Sequence, residues 1–221
     1  MSNLDSAPWV GTTGTLVKLA ATQELHSYWN LLRGARSAPE RAQIDPGAIR
    51  GVLADTFILE VDALGRYPLR IAGARTNALF LRELRGASFL DLWQEPDQSE
   101  MAAMLSVVAG EAVAVVAGAL AGPEGLRPLE LELLLLPLRH RGDTHSRVLG
   151  ACSPTFLPSW IGLTAAAPMR LLSLRVLESA ESVNGARASS RPSERIDDAG
   201  FSRAPEVDRR GHLFIFTNAP R

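Results

Sequence analysis

Residues 71–93, IAGARTNALFLRELRGASFLDLW, constrain this chain most, because they interrupt a sheet pattern with helical pieces too short to be stable alone. A strand over 67–72 runs into Gly73, and a helix of one or two turns follows over 74–81. The charged corner Arg82-Glu83-Leu84-Arg85-Gly86 turns the chain into a second short helical piece, to which Phe89, Leu90, Leu92 and Trp93 bring the apolar weight. Ser88 stands before that piece with Asp91 three residues on, a spacing that lets its hydroxyl cap the first turn. Upstream, residues 56–61 and 67–72 read as two strands joined by the turn 62–66. Downstream comes a helix over 96–109, then strands over 112–119, 129–138 and 148–152. A sheet broken in its middle by small helices leaves a space between the two, an arrangement for holding a ligand or a partner.

Residues 129–138 give the clearest strand. Leu129, Leu131, Leu133 and Leu135 make one apolar face, and the other changes from Glu130 and Glu132 to Leu134 and Leu136. That second face needs a cover along part of its length. The cover is a helix over 15–33, whose Val17, Ala21, Leu25, Tyr28, Trp29 and Leu32 recur at three- and four-residue spacing and which Gly34 ends. Glu130 or Glu132 then falls near the helix's edge. The same stripe also fits a dimer helix, and the two readings are compatible. Asp45 caps a short helix begun by Pro46, with Ile49, Val52 and Leu53 on its buried side. Residues 139–147 read as a polar loop, and 153–168 as a longer one. Residues 169–177 read as another strand or a continuation of the fifth, with Leu172, Leu174 and Val176 on one face. The organisation is therefore a flexible 1–14, a flanking amphipathic helix over 15–34, a domain over 35–178, and a polar, mostly disordered tail over 179–221. Within the tail, HLFIFT at 212–217 is an isolated apolar run expected to be docked, with an added strand on its own sheet or on a partner's as the two ways open to it.

With 46% hydrophobic residues the chain can bury a real core. A net charge of -1 makes no electrostatic case for nucleic acid. One cysteine allows no intrachain disulfide, and no basic-then-apolar leader opens the sequence, so a reducing cytoplasm is expected. Residues 101–122 are apolar enough to test for a membrane span, but Glu111 sits at their centre and Gly110, Gly118 and Gly122 dilute them; they read as the end of a helix and a buried strand.

Little here carries catalysis. Cys152 lies at a strand end in GACSP, without the following glycine of a nucleophile elbow, and reads as a buried structural thiol. His140 and His145 share the 139–147 loop with Asp143, yet no Cys or carboxylate cluster completes a metal site. No phosphate-cradling glycine loop occurs. The expectation is no catalytic residue, no metal and no enzyme; the competing class, an enzyme on another helix-plus-curved-sheet cavity fold, would need paired carboxylates or a His/Asp set facing the cavity.

The run Glu83-Leu84-Arg85-Gly86-Ala87-Ser88-Phe89-Leu90-Asp91-Leu92-Trp93, followed by Pro96-Asp97, resembles the middle of a PAS domain. Adding Tyr28-Trp29, Leu32-Arg33-Gly34, Ile44-Asp45-Pro46 and Arg70-Ile71-Ala72-Gly73, it is similar to the short stand-alone PAS proteins of alphaproteobacteria, over roughly residues 28–178. The resemblance implies an α+β fold with a five-stranded antiparallel sheet, short helices on one face and a flanking N-terminal helix. It implies a sensory or interaction module that is not an enzyme and that often pairs as a homodimer. Haem-binding relatives use a histidine from the helical side, and residues 67–109 contain none. The Asn-Cys-Arg-Phe run of flavin photosensors is also missing, so both cofactors are disfavoured and the ligand is left unnamed. If a small molecule enters the cavity, Arg70, Arg75, Asn77 and Trp93 are the candidates to line it, Arg75 or Asn77 fixing an acid or carbonyl group. With no room for an output domain, the signal is expected to leave through protein–protein contact; a ligand-free adaptor with a filled core is the alternative.

Overall fold

Leu129 to His140 (β4) lie at the heart of the molecule in a computed structural model, which describes residues 17–62, 64–141 and 143–177. The expectations for residues 1–14 and for the 179–221 tail, with its 212–217 run, fall outside these residues. In chain order the elements are α1 (Ala20–Arg33), β1 (Thr56–Glu60), β2 (Leu69–Ala72), α2 (Ala74–Phe80), α3 (Glu95–Glu111), β3 (Ala114–Gly122), β4, β5 (Asp143–Pro154) and β6 (Ala167–Leu177). All strands are antiparallel in one sheet of order β2-β1-β5-β4-β3-β6.

The sheet divides two apolar layers. Leu129, Leu131, Leu133 and Leu135 face α2 and α3, together with Phe57, Leu92, Met101, Leu105 and Val108. Leu134, Leu136 and Leu138 face the opposite way, onto Leu25 and Trp29 of α1 and onto Ile44, Ile49 and Val52 of the segment that follows it. The switch from Glu132 to Leu134 marks where cover by α1 begins. Val17, Leu25 and Trp29 are fully buried in this layer, with Ala21, Tyr28 and Leu32 packed at its margin. The helical stripe is therefore used within its own chain. Burying a side chain the size of Leu25 is worth about 1.5–3 kcal/mol. Trp29 Nε1 also donates to Pro137 O at 2.9 Å. Pro137 fits in a central strand because the β3 pairing stops at Leu135, so its missing N–H leaves no ladder bond unmade. Beyond it, Arg139 N donates to Pro39 O at 2.9 Å and closes that edge.

Several expectations need correction. The sheet has six strands: residues 167–177 form their own strand against β3 and do not continue β5. Residues 139–147 are mostly hairpin, with His140 paired to Asp143, since cross-strand backbone bonds hold polar residues extended as readily as apolar ones. α1 begins at Ala20, because Lys18 and Leu19 turn their N–H groups toward Glu132. The piece after Ser88 is only a 3₁₀ turn, Leu90–Leu92, although the Ser88 hydroxyl does accept from Leu90 N at 3.2 Å. After Pro46 the chain makes successive turns ending in a 3₁₀ turn, Leu53–Asp55, with Leu53 exposed. Leu172 leaves the face of Leu174: a bulge between the Gly118 and Ala119 pairings sends it outward, 49% exposed. Residues 101–122 divide into the end of α3 and β3, with Ala112 left-handed between them (φ 57°). Among the described residues no helix is long and apolar enough to cross a membrane.

Candidate functional site

Aromatic side chains meet one another between the sheet and the helices. Phe57 stacks on Phe89 with ring centroids 5.1 Å apart, and Phe89 meets Trp93 edge-on at 6.0 Å. The Phe57 ring lies across the backbone of Gly150, so close that a Cβ there would overlap it. All three rings are fully buried. Trp93 Nε1 has no hydrogen-bond partner among the described residues.

The four residues proposed to line a pocket here do not converge. Arg70 lies on the surface of β2 and pairs with Glu60, which also reaches Arg147 at 3.5 Å. Arg75, on α2, binds the buried Asp55 through Nη1 and Oδ1 at 2.5 Å. Burial pushes the Asp55 carboxyl above its usual range, and Arg75 draws it part of the way back. Asn77 Oδ1 accepts from Leu84 N at 3.1 Å and so shapes the turn after α2. Only Trp93 faces the interior. Cys152 is buried beside the same layer, its thiol pushed up to about 12 by burial and by Asp55, so it stays protonated at neutral pH. Among the described residues no group of three His, Cys, Asp or Glu is placed to hold a metal ion.

An open trough lies on the other side of the sheet. Beyond the start of α1, the outer face of β3, β4 and β6 forms a trough of about 480 Å³. Its floor is Gly118, which pairs with Glu132 on one side and Ser173 on the other. A Cβ at Gly118 would come within 2.9 Å of Ser173 Oγ, so the missing side chain is what leaves the floor clear. Glu130, Glu132 and Thr155 stand on the β4–β5 side, Leu172, Ser173 and Arg175 on the β6 side, and Lys18 and Leu19 close one end.

Glu132 joins this trough to α1. Its carboxylate accepts from Lys18 N at 2.9 Å and Leu19 N at 2.9 Å, and the Thr22 hydroxyl donates to it too. Leu19, the helix's own cap residue, provides no side-chain cap, so a strand residue more than a hundred positions away neutralises the helix N-terminus. Glu132 near the helix edge was legible in the sequence. Gly118, Ser173 and Arg175 were not, because nothing in their own neighbourhoods signals that three strands will align them.

The family model for the PAS domain matches residues 17–153, more than half of the chain. The chain belongs to the PAS family. Membership carries a sensory or regulatory role. Among solved structures, the chain is similar to the Rhodobacter sphaeroides LOV protein at 14% identity and a TM-score of 0.39, over 50% of this chain and 66% of that one. A further likeness is to the RsLOV d2 variant, at 16% identity and a TM-score of 0.39, with the same coverage. The chain thus spans just under two thirds of the length of these structures. No curated protein matches it.

Proposed function

We propose that this PAS protein regulates by binding, without catalysis, and that a small ligand binds in the trough on the outer face of the sheet. The observation that carries this reading is the division of space: the stacked Phe57, Phe89 and Trp93 occupy the interior, while about 480 Å³ stays open on the opposite face. The trough offers an apolar wall from Val116 and Leu172, hydroxyls from Thr155 and Ser173, and the guanidinium of Arg175. Arg175 makes no ion pair among the described residues, which leaves it able to pair with an acidic group of the ligand. An occupant would press on Lys18 and Leu19 and so on the seating of α1. The signal would leave through protein–protein contact, a homodimer or a signalling partner in the cytoplasm, for which α1 offers its outward side with Leu31 81% exposed.

The packing of Phe57, Phe89 and Trp93 in the interior favours a second reading, a ligand-free adaptor. Native and denaturing mass spectra of the purified protein, alone and as Ser173→Trp, separate the two. The ligand reading expects a reproducible extra mass in the native spectrum, absent after denaturation and lost when the introduced indole fills the trough. A clean apo mass in the wild type, or an extra mass untouched by the substitution, overturns it and leaves the adaptor.

A further inference from the structure

The longest uncharged run of the chain, residues 148–169, crosses one end of the sheet. β3 and β5 finish at that end, and β4 and β6 start there, so the turn 123–128 and the connection 155–166 share it. The connection is held in place. Trp160 and Ile161 pack against the inner layer, Gly162 N donates to Ala78 O at 3.2 Å, and Ala166 N donates to Leu79 O at 2.8 Å. Nearer β5, Thr155 N donates to Glu130 O at 3.0 Å, which sets the next residue, Phe156, beside the start of β4. With its backbone fixed in this way, the connection still turns Phe156, Leu157 and Leu163 outward, 54%, 62% and 77% exposed. Leu126, in the turn before β4, and Leu81, just past the α2 residues that hold the connection, are exposed as well.

We infer that this end of the sheet is the surface through which two copies of the chain pair. The five large side chains are each about half uncovered or more, and together they present roughly 450 Å² of apolar surface. One partner in a standard interface gives about 800 Å², a little over half of it apolar, so the patch has the size one copy must supply. Charge selects a second copy as the occupant. The apolar residues carry none, and the rim around them carries both signs: Glu124 and Arg127 in the turn, Glu130 and Arg170 on β4 and β6, Arg82 and Glu83 after Leu81. A two-fold axis sets such a rim against itself, so that acids of one copy meet bases of the other. An anionic lipid surface calls instead for a basic rim. A connection already fixed by its backbone bonds loses little freedom on pairing, which favours association. Pairing at this end leaves the outward side of α1, with its exposed Leu31, to a signalling partner.

Sedimentation of the full chain over a wide range of concentration tests this, with three variants: the double substitution Leu157→Asp and Leu163→Asp, the uncharged Phe156→Ser, and Leu31→Asp on α1. The expected result is a dimer in the wild type and in Leu31→Asp. The double variant weakens it by about a hundredfold or more, because each copy then buries carboxylates against those of the other. Phe156→Ser weakens it by roughly tenfold, through lost apolar contact alone. All the substituted side chains are exposed, so the circular dichroism spectrum should stay that of the wild type. If the double variant loses that spectrum, Phe156→Ser decides. A wild-type monomer throughout overturns the inference, and co-flotation of that monomer with vesicles of phosphatidylcholine and phosphatidylglycerol would give the patch to a membrane. A dimer that neither the double variant nor Phe156→Ser weakens also overturns it. Loss of the dimer in Leu31→Asp overturns it in favour of pairing through α1. The inference does not depend on a ligand in the trough: the mass spectra of Ser173→Trp test that site, and none of these side chains lines it.

Discussion

Removing the Glu132 carboxylate isolates what a strand residue contributes to the start of α1. In Glu132→Ala the N–H groups of Lys18 and Leu19 and the hydroxyl of Thr22 lose their acceptor. A hydrogen bond to a charged group is worth about 1.5–3 kcal/mol. The three do not add, because they share one carboxylate and because the open trough lets water reach the freed donors. The expected net loss is therefore about 2–3 kcal/mol, near the upper end for one such bond. For a folded unit of this size that lowers Tm by about 5–10 °C. Urea unfolding should show a lower midpoint at unchanged m, since the same surface is exposed on unfolding. Glu130→Ala is the control: Glu130 is exposed on the same strand, and its loss should stay within about 0.5 kcal/mol. A loss below about 0.5 kcal/mol for Glu132→Ala, or an equal loss for Glu130→Ala, refutes the assignment of the cap.

Two other substitutions probe the interior. Gly150→Ala places a methyl group where the Phe57 ring lies; the ring must move against Phe89, and a destabilisation of about 1–3 kcal/mol is expected in the same unfolding assay, with a near-neutral result counting against the stacked interior. Arg75→Ala leaves Asp55 buried and unpaired. With Arg75 one-third exposed, the cost at pH 7 is about 2–3 kcal/mol, below that of a wholly buried pair. Its pH dependence follows from Asp55. The folded carboxyl already lies above its ordinary 3.8, and losing Arg75 raises it further. Stability tied to such a group is fullest below the unfolded value and is lost as pH rises through the folded one. The cost should therefore shrink as the pH is lowered toward 3.8, and denaturant midpoints showing a pH-independent cost would contradict this account.

The sequence by itself determined the elements whose signal is local. The alternation of Leu129 through Leu135 makes β4, and the change from Glu132 to Leu134 announces that its second face is covered only in part. The three- and four-residue spacing of Leu25, Tyr28, Trp29 and Leu32 makes α1 and turns it toward that face. Phe89 and Trp93 were recognisable as apolar weight, but Trp93 was read as a candidate pocket wall, and only the packing shows it stacked in the core. What depends on distant partners was not legible. The strand residues 143–147 are polar, and cross-strand bonds, to β4 and at Ser146 and Arg147 also to the β1 side, hold them extended. Arg75 and Asn77 look like ligand-binding groups in isolation, but Asp55 and the backbone of Leu84 already engage them. The trough belongs wholly to the tertiary structure. Gly118 is an ordinary small residue until β4 and β6 flank it, and then its missing side chain becomes a floor. Periodicity along one segment records which side of that segment is buried; a cavity is made by side chains from segments far apart in the chain, and their spacing is set only when the strands pair.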